Sequence, residues 1–312
     1  ADMDALQIKE TGNCQYSSQI EGIMHACGHD GHISMLLGAA KYLSDTKNFN
    51  GKIIFIFQPN EEHGLGAKAM IEDGLFKRFD VDDVYGIHNI PGMPLGFFEM
   101  RSGPITASES LFEINIRAKG GHSAMPHMGV DAILVGTEIV QNLQTIISRK
   151  IDPSFSGVVS VTEFITNGKR NVLPGSTILR GDTRALTHQV NKTIEANIRQ
   201  IVEGVCIAHG VEADVNYETI FPAVINSKKS LIAANNAACK LVGTGSVDSN
   251  CSPRLFSEDF AYFLDARPGC FILMGNGTEG SNAMPLHSSD YDFNDSALEI
   301  GSSFWVQLVE QE

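Results

Sequence analysis

The feature that most constrains the fold is a change in patterning near residue 107. Before it, apolar residues fall in unbroken runs. A helical repeat over 30–48 (Ile33, Leu36, Leu37, Ala40, Leu43) leads into GKIIFIFQP at 51–59, ended by Pro59. GAKAMIEDGLF then reads as a helix closed by Gly74, and VDDVYGIHNIP as a second buried strand. Unbroken apolar runs mark strands covered on both faces, so a helix between two of them predicts a βαβ unit in a mostly parallel sheet. Beyond 107 the strands LFEINIRAK, SGVVSVTEFIT, STILRGDTRAL and VEADVNYE alternate instead, as half-exposed strands do. Two helical repeats, GVDAILVGTEIVQNLQTIIS and VNKTIEANIRQIVEGVCIAHG, separate them in the order β-α-β-β-α-β of a ferredoxin-like module. After 219 the first style returns, with helices SLIAANNAACKLV and DFAYFLDA, the buried strand GCFILMGNG and a last helix in FNDSALEIGSSFWVQLVE. Asp30 and Asn294 are the expected caps of the first and last helices. The expected fold class is α/β, a mostly parallel domain formed by 1–106 and 220–312 with 107–219 inserted as a separate module.

Length and charge narrow the possibilities. A chain of 312 residues comfortably makes two domains, and 43% hydrophobic with 19% charged residues reads as a soluble globular protein. The formal net charge of -14 argues against nucleic acid as a partner, since that needs a basic stripe. No apolar run approaches the roughly 18 residues of a membrane span, and no charged-then-apolar leader is present. The chain begins at ADMDAL without Met, so that last point carries little weight. The six cysteines are scattered rather than arranged as a disulfide framework. Cys206, Cys239 and Cys270 read as small core residues, and a reducing cytoplasm is the expected compartment.

Chemistry concentrates in a few short stretches. In HACGHDGH (25–32), Cys27 and His29 offer sulfur and imidazole one residue apart, just before a helix whose dipole favours a thiolate. Alone, this stretch reads equally as a metal site or as a buried cysteine with a capping loop. QPNEEHG puts Glu61 and Glu62 after a buried strand, and adjacent carboxylates diverge, so one can bind a cation while the other handles protons. Alone, it is an ordinary acidic loop. His88 in YGIHNIP and His287 in PLHSSDYDFND come from two further strand ends. Four such features at the carboxyl ends of strands, where open α/β sheets bind ligands, point to one site. Cys27, His29, Glu62, His88 and His287 are too many donors for one tetrahedral ion. A pair of divalent ions, Zn²⁺, Mn²⁺, Co²⁺ or Ni²⁺, fits better, with Cys27 able to bridge.

ADMDAL, HACGHDGH, FIFQPNEE, GIHNIP, KGGHSAMPH, SEDFAYF and LHSSDYDFND together resemble the aminoacylase and carboxypeptidase G family of metallopeptidases. Within it, they are similar to the amidohydrolase branch of hippurate hydrolase and the plant auxin-conjugate hydrolases. The motifs run in order from residue 1 to the C-terminus. The resemblance implies a two-metal centre bridged by Cys27, with His29 and His88 on one ion and Glu62 and His287 on the other. It implies Glu61 as the general base that activates water and later protonates the leaving amine, and Asp4 as the carboxylate orienting a metal-binding histidine. Asp2 stands where many relatives carry a histidine ligand and is left outside the ligand set. The inserted module corresponds to a lid that also forms a homodimer interface. Its His122 would stabilise the oxyanion, often across the dimer, and Asn171 and Arg184 would hold the substrate's carboxylate or carbonyl. His25, His32, His63 and His127 are expected in supporting or structural roles.

The function implied is hydrolysis of small N-acyl amino acids, hippurate-like or N-acetyl, to a carboxylic acid and a free amino acid. A dipeptidase, an aminobenzoyl-glutamate hydrolase and an N-acetyl-diaminopimelate deacetylase are the enzymatic alternatives. Outside catalysis, the alternatives are a silent relative that only binds a metal or ligand, and a redox-sensing thiol protein. Family members carry several dozen residues before DMDAL, including a helix and early strands. A sheet lacking them is expected to expose an edge.

Overall fold

The computed structural model describes residues 1–12 and 15–311, so Cys14 lies outside the described residues. The chain forms two compact units. The first comprises Ala1–Ile105, Val224–Arg254 and Glu258–Glu312, and the second Thr106–Ala223 and Leu255–Ser257. Elements are labelled in chain order.

In the first unit, α1 (His29–Thr46), α2 (Gly66–Glu72), α3 (Leu75–Arg78), β1 (Val84–Pro91), β2 (Phe98–Glu99) and β3 (Gly103–Thr106) precede the break in the chain path. β10 (Val224–Asn226), α6 (Lys228–Val242), β11 (Val247–Asp248), α7 (Ala261–Ala266), β12 (Gly269–Gly277) and α8 (Ser296–Glu310) follow it. The main sheet has the order β1-β12-β2-β11. β1 and β12 are parallel, as are β2 and β11, while β12 and β2 run antiparallel, so the sheet is mixed.

β12 is the spine of this unit, with every residue buried. Because successive side chains point to opposite faces, Cys270, Ile272 and Met274 join a core with Met35 and Ala39 of α1, Ala234 and Ala237 of α6, and Phe304 of α8. Phe271 and Leu273 face the other way, onto Ala67, Leu75, Ala261 and Phe263 from α2, α3 and α7. The unbroken apolar run GCFILM is thus explained by helices on both faces.

Four local expectations need correction. Residues 51–57 form no ladder among the described residues; next to them are the isolated Asp2–Gln58 bridge, the Gln58 N–H donating to the Ala1 carbonyl at 2.8 Å, and the Ala1 ammonium donating to the Ile56 carbonyl at 2.9 Å. Its apolar side chains Ile53 to Phe57 are half-buried, beside a groove of about 370 Å³ that Val84, Tyr85 and Trp305 also line. Apolar composition favours a strand but supplies no partner, and no described strand lies alongside. Second, α1 starts after Gly28, not at Asp30, whose carboxylate only accepts from the Gly31 N–H. Third, Cys239 is half-buried on α6, while Cys206 and Cys270 are core residues as expected. Nor is Asn294 the cap of α8: the N-cap position is Asp295, without a side-chain cap, and Asn294 one residue earlier accepts from the Ser296 N–H at 3.1 Å.

The second unit carries β4 (Ser108–Arg117), β5 (Gly121–His122), α4 (Ala132–Leu143), β6 (Gly157–Thr166), β7 (Val172–Leu173), β8 (Ser176–Ala185), α5 (His188–His209) and β9 (Glu212–Phe221). Its four-stranded sheet, β6-β8-β4-β9, is antiparallel throughout. With the short β5–β7 ribbon set aside, the order along the chain is β-α-β-β-α-β. Thr187 caps α5 by accepting from the Val190 N–H. Val190, Ile194, Ile198, Val202 and Val205 then recur every three or four residues along its buried face, against Phe112, Ile114, Ile116 and Leu179 of the sheet. The described cysteines are all free thiols, and no described helix is long and apolar enough to cross a membrane.

Phe304 anchors the first core. It is fully buried, stacked on Phe98 at 5.1 Å between centroids and edge-on to Trp305 at 5.4 Å. Phe304→Ala should therefore lower the unfolding free energy by about 3–5 kcal/mol. Trp305, the chain's single tryptophan, reports the transition in a denaturant titration. A loss below about 1 kcal/mol, the size of an ordinary substitution, would remove Phe304 from this role.

Candidate functional site

Asp4, Cys27, His29, Glu61, Glu62, His88 and His287 converge in the first unit. The turn that joins Cys27 to His29 depends on Gly28, which adopts φ 86° and leaves no room for a side chain. A Cβ there would lie 2.5 Å from Asn89 Oδ1 and 2.6 Å from the Tyr291 hydroxyl. The tight turn sets Cys27 Sγ 3.5 Å from His88 Nε2 and buries both side chains. His29 opens α1 fully buried, its Nδ1 donating to the Asp4 carbonyl at 3.1 Å and lying 3.2 Å from Asp4 Oδ1. Asp4 Oδ2 accepts from the Glu62 N–H at 3.1 Å, so one carboxylate orients both the histidine and the acidic loop. Glu61 and Glu62 sit in a single 3₁₀ turn, Glu61–His63. His88 lies within β1, opposite Leu273 of β12, rather than beyond the strand's end. His287 occupies a left-handed backbone position (φ 66°), and its N–H donates to the Ala26 carbonyl at 2.8 Å.

The donors face one another. His29 Nε2 lies 3.4 Å from Asp2 Oδ2 and 3.8 Å from Glu62 Oε1, and His287 Nε2 lies 3.3 Å from Glu62 Oε2. His29 Nε2 and Glu62 Oε1 are nonetheless buried with no hydrogen-bond partner among the described residues. Buried polar atoms are rarely left so. Ligating atoms of Cys27, His29 and Glu62 lie within 4.8 Å of one another. Sulfur, imidazole nitrogen and carboxylate oxygen so arranged suit a borderline divalent cation, which would give both orphaned atoms a partner.

Burial governs the protonation of this cluster. Burial alone would lower His29, but Asp2 and the hydrogen bond to Asp4 outweigh it and hold the imidazolium up to about 9. His88 goes the other way, pushed down to about 3 by burial and by the charge of His32. It is a neutral imidazole whose Nδ1–H is donated to the Asn89 carbonyl, leaving Nε2 as an acceptor beside Cys27. Burial, then Glu62 and Glu61, push the Cys27 thiol well up. The helix dipole expected to favour a thiolate is overridden, and a thiolate here needs a cation beside it. Glu61 is likewise pushed well above the usual carboxylate range by burial and by Glu258 and Asp2. A base that works near neutral pH needs a shift in that direction.

Several side chains of the cluster lie outside the ligand and catalytic sets expected from the sequence. Asp2 and His32 are joined at 2.7 Å, and His32 Nε2 meets Asn89 Oδ1 at 2.8 Å. Asn89 Nδ2 donates to Tyr291 Oη at 2.6 Å. Glu258 and Asp259 have carboxylate oxygens within 4.8 Å of Glu61's. Burial lifts Asp259 to about 7 against the hydrogen bonds from the Ala67 N–H and Gln58 that lower it. The SEDF stretch that holds this pair precedes a phenylalanine-rich helix and reads locally as an ordinary helix start; only its acidic pair beside buried aromatics hinted at more.

The remaining candidates lie in the second unit. His122 on β5 pairs with Val172 on β7, and the Asn171 carbonyl accepts from the Ser123 N–H at 3.1 Å, so these two are neighbours. His122 is exposed, with Nδ1 accepting from the Ala124 N–H at 3.1 Å. Arg184 is fully engaged within its unit: Nη1 meets Glu109 Oε2 and Ser257 Oγ at 2.8 Å each, and Nε meets Asp182 Oδ2 at 2.7 Å.

Residues 1–311 match the peptidase family M20/M25/M40. A hippurate hydrolase of Campylobacter jejuni is 38% identical over 309 residues, covering 99% of this chain and 79% of that protein. An N-acetylcysteine deacetylase of Bacillus subtilis is 34% identical over 311 residues, again 99% and 79%. The crystal structure of Bacillus subtilis YXEP, a dinuclear metal binding peptidase from the M20 family, superposes with a TM-score of 0.84 at 30% identity. It covers all of this chain and 79% of that one. The chain belongs to the M20/M25/M40 family of peptidases, as its motifs implied.

Proposed function

We propose that this chain is a metal-dependent amidohydrolase that cleaves small N-acyl amino acids into a carboxylic acid and a free amino acid. The observation that carries the reading is the orphaned pair His29 Nε2 and Glu62 Oε1, buried 3.8 Å apart with the acidic Glu61 beside them. A binding protein needs the pair but has no use for a free buried carboxylate next to it. The names of the hippurate hydrolase and N-acetylcysteine deacetylase relatives support the substrate class.

Cys27, His29, His88, Glu62 and His287 would hold two divalent cations. When bound, such a pair supplies Lewis acidity that polarises the scissile carbonyl and lowers the pKa of water. Glu61 takes a proton from the attacking water at its carboxylate and returns it to the departing amide nitrogen, collapsing the tetrahedral intermediate. Asp4 fixes the His29 tautomer by holding Nδ1–H, which turns Nε2 toward the centre. His122 accepts at Nδ1, which leaves its proton on Nε2, the donor an oxyanion requires. Asn171 beside it and Arg184 hold the substrate's carbonyl and carboxylate. Arg184 would have to share its guanidinium with Glu109 and Asp182 to do so. The second unit serves as a ferredoxin-like lid and as the interface of a homodimer. The five cysteines among the described residues are free thiols, which accords with a reducing, cytoplasmic setting.

Four measurements test this. Hippurate, N-acetyl amino acids, indole-acetyl amino acids and dipeptides, assayed with Mn²⁺, Zn²⁺, Co²⁺ and Ni²⁺, should give turnover of at least one N-acyl amino acid; cleavage of dipeptides alone would replace the reading with a dipeptidase. Glu61→Ala should keep cation and substrate binding yet lose about 10²–10⁴-fold in kcat, the worth of a general base. Retained turnover would remove Glu61 from that role. Metal-free protein should gain about 2.7 kcal/mol of stability at a Mn²⁺ concentration 100 times Kd. Glu62→Ala should flatten that gain in a thermal melt, and an undiminished gain would exclude Glu62 as a ligand. Mixed dimers of His122→Ala and Glu61→Ala chains should recover part of the activity if His122 acts across the dimer, whereas no recovery would confine it to its own chain.

A further inference from the structure

We infer that Asp259 is a positioning residue that ties both ends of the Glu61–Glu62 loop, holding the general base in place; its effect on turnover, though not the tie itself, rests on the amidohydrolase reading above. The loop spans residues 59–66. At its entrance Gln58, buried, donates its side-chain N–H to Asp259 Oδ1. At its exit the Ala67 N–H donates to Asp259 Oδ2 at 2.9 Å. Asp259 has no solvent exposure, so both bonds are shielded from water. One carboxylate thus spends its two oxygens on the two ends of one loop.

The loop is built to close over this point. The Leu65 and Gly66 N–H groups both donate to the Asn60 carbonyl, at 3.3 and 3.2 Å. Gly66 packs so closely that a Cβ would fall 1.5 Å from the Pro59 carbonyl oxygen, so no other residue fits. Asn60 holds a left-handed conformation (φ 56°), costly for a side chain and kept only where surroundings enforce it. Glu61 and Glu62 ride on the crown, where Glu61 is buried among the like charges of Glu258, Asp259 and Glu62. The crown therefore gathers several acidic side chains out of water, which is costly. Asp4 restrains it at the Glu62 N–H, and Asp259 restrains its base.

An asparagine keeps the shape but offers only one acceptor oxygen, so Asp259→Asn must release either Gln58 or Ala67. Gln58→Ala removes one tie and leaves Asp259 intact. Hydrogen exchange on the metal-free chain reads the tie directly. Amides of residues 60–67 should exchange roughly 10- to 100-fold faster in either variant, the effect of losing a buried bond to a carboxylate. Amides of β12 should be unchanged. Unaltered protection of 60–67 would overturn the inference, and equal acceleration in β12 would reassign Asp259 to global stability. With Mn²⁺ and hippurate, both variants should lose kcat with much smaller changes in KM, and Gln58→Ala combined with Asp259→Ala, which removes both ties, should be no worse than Asp259→Ala alone. Additive losses would show the two residues acting apart and would also overturn it. If the unaltered protein hydrolyses none of the N-acyl amino acids, the amidohydrolase reading fails, while exchange at 60–67 still decides the tie.

Discussion

Glu61, Glu258 and Asp259 are buried within one small volume, with Asp2 and Glu62 largely buried beside them. Removing a carboxylate from water costs several kcal/mol, and crowding like charges adds to that cost. The molecule meets this in two ways. Part of the charge is matched by imidazole: Asp2 is held well below the usual carboxylate range because the charges of His32 and His29 outweigh its burial. The rest is unmatched, as at Glu61 and Glu258, whose carboxyls are driven well above the usual range chiefly by burial. A site with this excess of acidic donors is poised for cations, and the orphaned Nε2 and Oε1 atoms mark where the imbalance is greatest.

The scaffold bears that strain through its most buried strand. β12 packs on both faces and pairs in parallel with β1, so the backbone that carries His88 is fixed by the same core that Phe304 and Phe271 fill. Around this rigid strand the other donors come from turns with unusual backbone: the left-handed Gly28, Asn60 and His287. Strained turns on a rigid sheet are where functional side chains are commonly held. The two kinds of support are different in character, one from packing and one from hydrogen bonds to carboxylates such as Asp4 and Asp259.

The sequence made the helices, the alternating strands of the second unit and the donor residues legible because each depends on local pattern. α5 could be read from Val190, Ile194 and Ile198, and β12 from five apolar residues in a row. What local pattern cannot supply is the partner. Residues 51–57 have the composition of a strand without a described neighbour to pair with. Gly28 displaced Asp30 as the start of α1 because Asn89 and Tyr291, distant in sequence, crowd the turn. Asp259 escaped notice for a similar reason: its worth lies in Gln58 and Ala67, some 200 residues earlier. The Cys27 thiol reads as favouring a thiolate on the strength of one helix terminus, whereas burial, and after it carboxylates from elsewhere in the chain, reverse this.

The tautomers of the buried histidines separate ligands from supports. His29 and His88 each commit Nδ1 to a protein acceptor, Asp4 and the Asn89 carbonyl, and turn Nε2 toward the centre. His32 is equally buried and belongs to the same cluster, but both of its nitrogens are taken, one by Asp2 and the other by Asn89. A ligand needs a lone pair to give, and His32 has none to spare. It acts instead as the link that holds Asp2 against His29 and joins it, through Asn89, to Tyr291 and the wall of the Gly28 turn. Three histidines in one stretch of eight residues thus divide by hydrogen bonding rather than by position: one faces the donors, one braces them, and His25 stands outside both groups.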